Sequence, residues 1–171
     1  MSRLMLNKLY RYTITYTCIL IFTLLVTYAF NINTEKQVIN SSFTINILND
    51  TGIVLANNTL LFLFIISAIY IGKINIYLFL ITNGVRIGLL ISKFMYVKYM
   101  LLILPHGVLE ISTFLLLAAF ISVKIDNGCK INTIGITGIK RIVLMYCLIV
   151  IAALIEVGIT PQLVRMYLLN E

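Results

Sequence analysis

Five long apolar segments constrain what this chain can fold into more than any other feature of its sequence. Each has about the 20 residues that an α-helix needs to cross roughly 30 Å of hydrocarbon. The segments are residues 13–30, 54–72, 74–92, 99–123 and 142–160. The strands of a membrane barrel would be half as long and would alternate polar with apolar residues. The sequence therefore predicts an all-α bundle of about five transmembrane helices, forming one integral membrane domain over residues 1–171.

The composition fits a membrane protein and argues against other classes. Of the 171 residues, 61% are hydrophobic and only 11% are charged, which is too little polar surface for a soluble domain of this size. The net charge of +7 comes from basic residues scattered between the apolar segments. Since they form no patch interleaved with exposed aromatic residues, we expect no nucleic-acid partner. The three cysteines show neither metal-ligand spacing nor a disulfide framework, and we expect no metal or cofactor.

The lysines and arginines of the short loops predict the orientation of the bundle, because cytoplasmic loops are enriched in these residues. With the N-terminus inside, the inner side receives eight of them, namely Arg3, Lys8, Arg11, Lys73, Lys124, Lys130, Lys140 and Arg141. The outer side then receives four, namely Lys36, Lys93, Lys98 and Arg165. This bias favours a cytoplasmic N-terminus and an external C-terminus.

Polar side chains within four of the segments form a layer in the outer half of the predicted membrane. Arg86 lies thirteen residues past Lys73, which is roughly 20 Å along a helix. Glu110 lies fourteen residues before Lys124, at much the same height. The predicted intramembrane polar cluster consists of Asn58, Asn83, Arg86, His106, Glu110 and Glu156. A charge at that depth costs at least a few kcal/mol unless it is paired or hydrated.

Glycines and a proline near this layer predict special backbone geometry. Proline is accepted in the first turn of a helix, and it pushes the preceding residue out of helical geometry. The sequence therefore predicts that the fourth segment is broken and that a helix begins at Pro105, with Gly107 beside it. His106 and Glu110 then lie one turn apart on one helix face. Gly84 and Gly88, also one turn apart, predict close helix packing or a local helix break.

Three interpretations of the polar cluster remain open from the sequence. The first is a polar clasp that fixes helix packing. The second is a pathway for a proton, an ion or a peptide. The third is a metal or acid–base site made by His106, Glu110 and Glu156. Against the third, the sequence has no H-E-x-x-H spacing and no nucleophile–histidine–carboxylate arrangement. Arg86 would also supply the compensating charge in place of a metal.

The residues around this layer carry a resemblance to a known family. They are Asn57-Asn58, Asn83-Gly84 with Gly88, ILPHGVLE at residues 103–110, AALIE at 152–156 and Thr160-Pro161. In these motifs and their order the chain resembles the stage II sporulation protein M family of prokaryotic membrane proteins. It departs from the family where Ile111-Ser112-Thr113 follows the glutamate, since many members have a proline and glycine-rich turns at that point.

The resemblance implies a multi-pass protein of the bacterial cytoplasmic membrane. The sporulation members of the family help assemble a complex with peptidoglycan-cleaving enzymes during engulfment. Short relatives are encoded with circular-bacteriocin systems, beside a larger membrane protein and an ATPase, and are linked to maturation, export or immunity. The length of this chain and its small first external loop favour the second group. The partners so implied are the lipid bilayer, other integral membrane proteins, an ATPase subunit and a hydrophobic peptide.

The sequence leads to one main functional hypothesis and two alternatives of other kinds. The main one is a non-enzymatic membrane subunit of a multi-protein complex in bacteriocin processing or, alternatively, in sporulation. An intramembrane hydrolase or peptide ligase would use His106, Glu110 and Glu156. A small-molecule or ion carrier is disfavoured, because carriers usually show paired halves and no internal repeat is evident here.

Overall fold

The computed structural model describes residues 2–29, 47–93, 97–128, 134–159 and 162, with the backbone alone at residues 47–50, 90, 93 and 97–106. Within these ranges the chain forms five helices and no strand. They are α1 (Arg3–Ala29), α2 (Ile47–Ile71), α3 (Ile74–Lys93), α4 (Val97–Asp126) and α5 (Ile136–Gly158). The prediction of an all-α protein is confirmed. The helices also continue beyond the apolar segments, because backbone hydrogen bonding does not stop where the side chains become polar.

Four helices contain an apolar stretch long enough to cross a membrane. These stretches are Arg3–Ala29, Thr51–Ile71, Gly107–Asp126 and Ile136–Gly158. In α3 the apolar stretch is shorter, at Ile74–Leu89. The protein is therefore a membrane protein by the length and composition of its helices. A count of five spans stays a prediction, as does the orientation.

The structure of α4 differs from the expectation of a break at Pro105. One continuous helix runs from Val97 to Asp126, so Pro105 lies inside it and no helix begins there. A proline removes one backbone donor and crowds the preceding turn. Helices in membranes nevertheless tolerate it, because neighbouring helices and small local adjustments satisfy the freed carbonyl. Glu110 therefore belongs to the same helix as the residues on both sides of the proline.

Helix α4 lies at the centre of the bundle. It packs against α1, α2 and α5, and less extensively against α3. Its inner side chains are completely buried, and they include Phe114, Leu117 and Ile121. The buried Ala118 and Ala119 leave room for neighbouring helices to come close. Because lipid is as apolar as these side chains, such an arrangement is held by close packing rather than by exclusion of water.

The two glycines of α3 lie directly against α1. A Cβ atom placed on Gly84 would lie 2.9 Å from Cγ2 of Ile19. One placed on Gly88 would lie 2.8 Å from Cβ of Thr23. Neither site has room for a larger side chain. The glycines therefore allow the backbones of α1 and α3 to approach each other, as small residues do between membrane helices.

An ion pair network ties three parts of the bundle together at one end. Lys8 of α1 lies with its Nζ 2.9 Å from Oδ2 of Asp126, at the end of α4. Lys73, in the turn between α2 and α3, donates a hydrogen bond to the same carboxylate. This hydrogen bond raises the pKa of Lys73 above its ordinary value. Gly72 makes the turn with a φ of 105°, a conformation that favours glycine.

The same end of the bundle collects most of the described basic side chains. We call it the basic end and define it by Arg3, Lys8, Arg11, Lys73, Lys124, Lys140 and Arg141. Helix α1 begins at this end, the turn between α2 and α3 lies there, α4 ends there and α5 begins there. The Lys8 and Lys73 contacts with Asp126 place the start of α1 beside the end of α4, so neighbouring helices along the chain run in opposite directions.

Candidate functional site

The candidate site is a group of polar side chains inside the bundle, well away from the basic end. All five helices contribute to it. We call it the polar cluster, and its described members are Tyr16 of α1, Asn58 of α2, Asn83 and Arg86 of α3, Glu110 of α4 and Glu156 of α5. The predicted sixth member, His106, has a side chain outside the part of the chain that the structure describes. Tyr16 was not predicted.

Glu110 lies at the centre of the polar cluster. It lies one helical turn before Phe114, on the inner face of the central helix, and is half-buried. The Asn58 side chain lies next to its carboxylate, and Glu156 and Arg86 are within electrostatic range. The hydroxyl group of Tyr16, from α1, is also within electrostatic range of Glu110. The carboxylate of α4 is therefore the point on which groups from the other four helices converge.

Three polar atoms of the cluster have no hydrogen-bond partner within 3.5 Å among the described residues. They are Oη of Tyr16, Nδ2 of Asn58 and Nδ2 of Asn83. The residues are only 5%, 6% and 5% exposed, respectively. An unsatisfied buried donor costs about 1–3 kcal/mol, so buried polar groups in native proteins nearly always have a partner. The Asn58 side chain interacts as a donor with the Glu110 carboxylate, so only Tyr16 Oη and Asn83 Nδ2 have no acceptor among the described residues.

Arg86 compensates the carboxylates only at a distance. Its side chain is exposed, and it acts electrostatically on both Glu110 and Glu156. Among the described residues, ion pairs with an N–O distance within 4.0 Å occur only at the basic end. Arg86 therefore forms no bidentate contact with either glutamate. The described members of the cluster include two carboxylates and one guanidinium, which leaves one negative charge among them if all three are ionised.

A layer of tightly packed apolar side chains separates the polar cluster from the basic end. We call it the apolar plug, and it consists of Phe62, Ile65, Phe79, Phe114, Leu117 and Ile149, all buried. The rings of Phe79 and Phe114 are in contact, with centroids 5.3 Å apart. A side chain of the plug lies one or two turns from each glutamate and asparagine of the cluster. The packing closes the cluster on this side and argues against a continuous polar pathway through the described bundle.

The family model described as Stage II sporulation protein M matches residues 11–161. The match spans most of the chain and includes every member of the polar cluster. The protein belongs to the stage II sporulation protein M family. The resemblance seen in its motifs is thereby confirmed. No curated protein matches the chain, and no solved structure matches it.

The motifs that resemble the stage II sporulation protein M family have distinct places in the structure. The asparagine–asparagine pair supplies Asn58, and the AALIE motif supplies Glu156, to the polar cluster. The asparagine–glycine motif supplies Asn83 to the cluster and Gly84 to the contact with α1. Thr160 and Pro161 lie outside the described residues. The motifs of this family member are therefore divided between the cluster and the packing beside it.

Tyr16 is the member of the cluster that sequence reasoning missed. Tyrosine is common near the ends of membrane helices, so its presence in α1 carried no special signal. The spacing of the two tyrosines is a signal that could have been used, since Tyr12 and Tyr16 are one turn apart and both are buried. The ring of Tyr16 also lies 3.6 Å from where a Cβ of Gly84 would be. It thus occupies the space that the glycine leaves between α1 and α3.

The metal-site interpretation depends on a side chain that the structure does not describe. It requires His106 with Glu110 and Glu156. Among the described side chains, no three histidine, cysteine or carboxylate groups come together in a way that could hold a metal ion. The metal-site interpretation therefore stays a hypothesis from the sequence.

Arg86 and Glu110 should be energetically coupled although they do not touch. We expect Arg86→Met to destabilise the protein less when Glu110→Gln is already present, with a coupling of about 1 kcal/mol. The reason is that the guanidinium offsets the carboxylate in surroundings that screen charge poorly. The measurement is a double-mutant cycle on the free energy of unfolding in mixed micelles. Lys140→Met, at the basic end, is the matched control and should be additive with Glu110→Gln. Additivity of Arg86→Met as well would show that Arg86 does not compensate Glu110.

Proposed function

We propose that the protein is a non-enzymatic membrane subunit that assembles with other integral membrane proteins in the maturation, export or immunity of a circular bacteriocin. The observation that carries the proposal is the apolar outer surface of the bundle. Large hydrophobic side chains are exposed on every helix, among them Phe22, Leu60, Leu78, Val108 and Leu144. Such a surface is suited to lipid and to the helices of partner proteins. Almost all described residues belong to this bundle.

The proposed position in the membrane follows from the charges. In a bacterial cytoplasmic membrane the basic end faces the cytoplasm, because lysine and arginine are enriched on that side. All five helices then span the bilayer, and the polar cluster lies in its outer half. The apolar plug lies between the cluster and the cytoplasm. An ATPase partner would meet the basic end, whereas a peptide in the outer leaflet would meet the cluster.

Family membership alone supports a second candidate, a component of the sporulation engulfment complex with peptidoglycan hydrolases. That role requires contact with proteins outside the cytoplasmic membrane. The chain between α1 and α2 comprises only residues 30–46, and in the proposed orientation it is the longest external connection. Its small size favours partners within the membrane, and therefore the bacteriocin role.

The proposed function predicts that the chain purifies with partner membrane proteins. We expect a tagged chain, extracted in mild detergent from cells that make its neighbouring genes, to retain an integral membrane protein and an ATPase. A photo-crosslinking residue at Leu60, which is 66% exposed, should attach to the membrane partner. The same residue at Phe62, only 3% exposed on the same helix, is the matched control and should give no such product.

Two results would distinguish the candidates. Crosslinks to a peptidoglycan hydrolase instead of a bacteriocin-system protein would favour the sporulation role. A chain that purifies alone, with no crosslink from Leu60 in the native host, would contradict the subunit proposal altogether.

A further inference from the structure

We propose that the first turns of α5, at the basic end, bind the phosphate headgroup of an anionic phospholipid from the surrounding leaflet. Lys140 and Arg141 contact the phosphate, and Lys124 of α4 adds positive charge beside them. The exposed apolar side chains of α5 contact the acyl chains of the same lipid. The inference requires only that the protein lies in a bilayer, so it is independent of the bacteriocin role. It rests on the depth, the surroundings and the charge of these cations.

The two cations of α5 lie beside the body of α4 and not beyond its end. A Cβ atom placed on Gly138 would lie 3.6 Å from Cζ of Phe120, so these two residues are at about the same level. Phe120 comes six residues before Asp126, the last residue of α4, which is about 9 Å along a helix. Lys140 and Arg141 follow Gly138 and therefore lie closer to the centre of the bundle than Asp126 does. From such a depth the long side chains of lysine and arginine extend to the level of the lipid phosphates.

Lys140 lies within an apolar stripe of α5 that faces out of the bundle. Ile136, one turn before it, is 75% exposed, and Val143 and Leu144, about one turn after it, are 54% and 63% exposed. Lys140 and Arg141 are exposed as well. A cation with exposed apolar neighbours on both sides suits a phospholipid, because the phosphate and the acyl chains are adjoining parts of one molecule. A soluble acidic protein would leave the apolar neighbours unmatched, so the stripe favours a lipid.

No acidic side chain is left to balance these cations. Residues 111–155 include a single acidic residue, Asp126, and its carboxylate is shared by two other lysines of the basic end. The ammonium nitrogen of Lys124 lies 5.8 Å from the centroid of the Phe120 ring, the same ring that reaches α5. Lys124 therefore adds its positive charge next to the start of α5. Each such charge at a membrane surface strengthens the attraction of anionic lipid by about fivefold.

The test uses the absence of tryptophan from the chain, because a single introduced tryptophan then reports the lipid beside it. The full-length Leu144→Trp protein is placed in phosphatidylcholine vesicles, and brominated lipids serve as quenchers of its fluorescence. We expect brominated phosphatidylglycerol to compete for this position about tenfold better than brominated phosphatidylcholine. Phe22→Trp, at an exposed position of α1, is the control reporter and should show no preference.

Two pairs of substitutions, each added to the Leu144→Trp reporter, locate the site. Lys140→Gln with Arg141→Gln should reduce the preference for phosphatidylglycerol to less than about twofold, because both contacts to the phosphate are lost. Arg3→Gln with Arg11→Gln removes the same number of exposed cations from α1, also at the basic end. This matched pair should leave the preference unchanged.

Equal quenching by the two brominated lipids at Leu144→Trp would overturn the inference, as would a full preference without Lys140 and Arg141. An equal loss from the pair in α1 would show a diffuse field of the whole basic end instead of a site on α5. If inorganic phosphate abolished the preference more strongly than sodium chloride at the same ionic strength, the site would belong to a small water-soluble anion. A photo-crosslinking residue at Val143 that attaches to an acidic protein in the native host, without any lipid preference in vesicles, would assign the cations to that partner.

Discussion

We expect the replacement of both Gly84 and Gly88 with leucine to lower the free energy of unfolding by about 3 kcal/mol, because it forces side chains into a packed interface. The Cβ atom at Gly88 would already lie 2.8 Å from Cβ of Thr23 and 3.4 Å from the backbone oxygen of Leu20. Neither atom is the flexible end of a side chain, so α1 and α3 have to separate. The measurement is unfolding in mixed micelles, compared with the unmodified protein.

Gly52→Leu is the matched control for this prediction. Gly52 also lies in a helix, and nothing lies within 4 Å of where its Cβ would be. Leucine favours helix more than glycine does, so this variant should be as stable as the unmodified protein or slightly more so. If the variant with both α3 glycines replaced were equally stable but lost its membrane partner, the glycines would seat a helix of the partner. The described contacts with α1 would then be wrong.

We expect the replacement of Phe114 with alanine to lower the free energy of unfolding by about 2–3 kcal/mol. The side chain is completely buried and contacts the ring of Phe79 in the apolar plug. The expected loss is below the 3–5 kcal/mol typical of soluble proteins. In micelles the unfolded chain keeps this ring in apolar surroundings, and therefore the loss reflects mainly the cavity and the missing contacts. The same unfolding titration measures it.

Phe22→Ala provides the control for the plug. Phe22 of α1 is 68% exposed at the outer surface of the bundle, where lipid replaces the lost contacts, so its removal should change stability little. Equal loss of stability from Phe22→Ala and Phe114→Ala would contradict the described burial of the plug.

The apolar plug limits what the polar cluster can do. A transport pathway needs polar groups or water along its whole length, whereas the described interior between the cluster and the basic end is packed with aromatic and aliphatic side chains. A site closed on one side can bind a group and hold it for a partner. This property agrees with the proposed role as a subunit.

Much of the candidate site could be predicted from the sequence, because depth along a membrane helix depends only on residue number. Counting about 1.5 Å per residue from the charged loops gave the common level of Asn58, Arg86, Glu110 and Glu156. The contacts within that level could not be predicted in the same way. Tyr16 enters the cluster because α1 faces α4 and α3 with one particular side. Arg86 makes no contact ion pair because its side chain reaches the exposed face of α3.

The sequence by itself determined that the chain is helical and built for a membrane. A backbone surrounded by lipid must satisfy its hydrogen bonds internally, so long apolar segments have no alternative to helices. The tertiary structure decided which helix is central, which face of each helix turns inward, and that α4 continues through Pro105. Lipid-facing and buried side chains are equally apolar in such a protein, and the sequence pattern therefore does not distinguish them. Only packing against neighbouring helices sets their rotation and pairing.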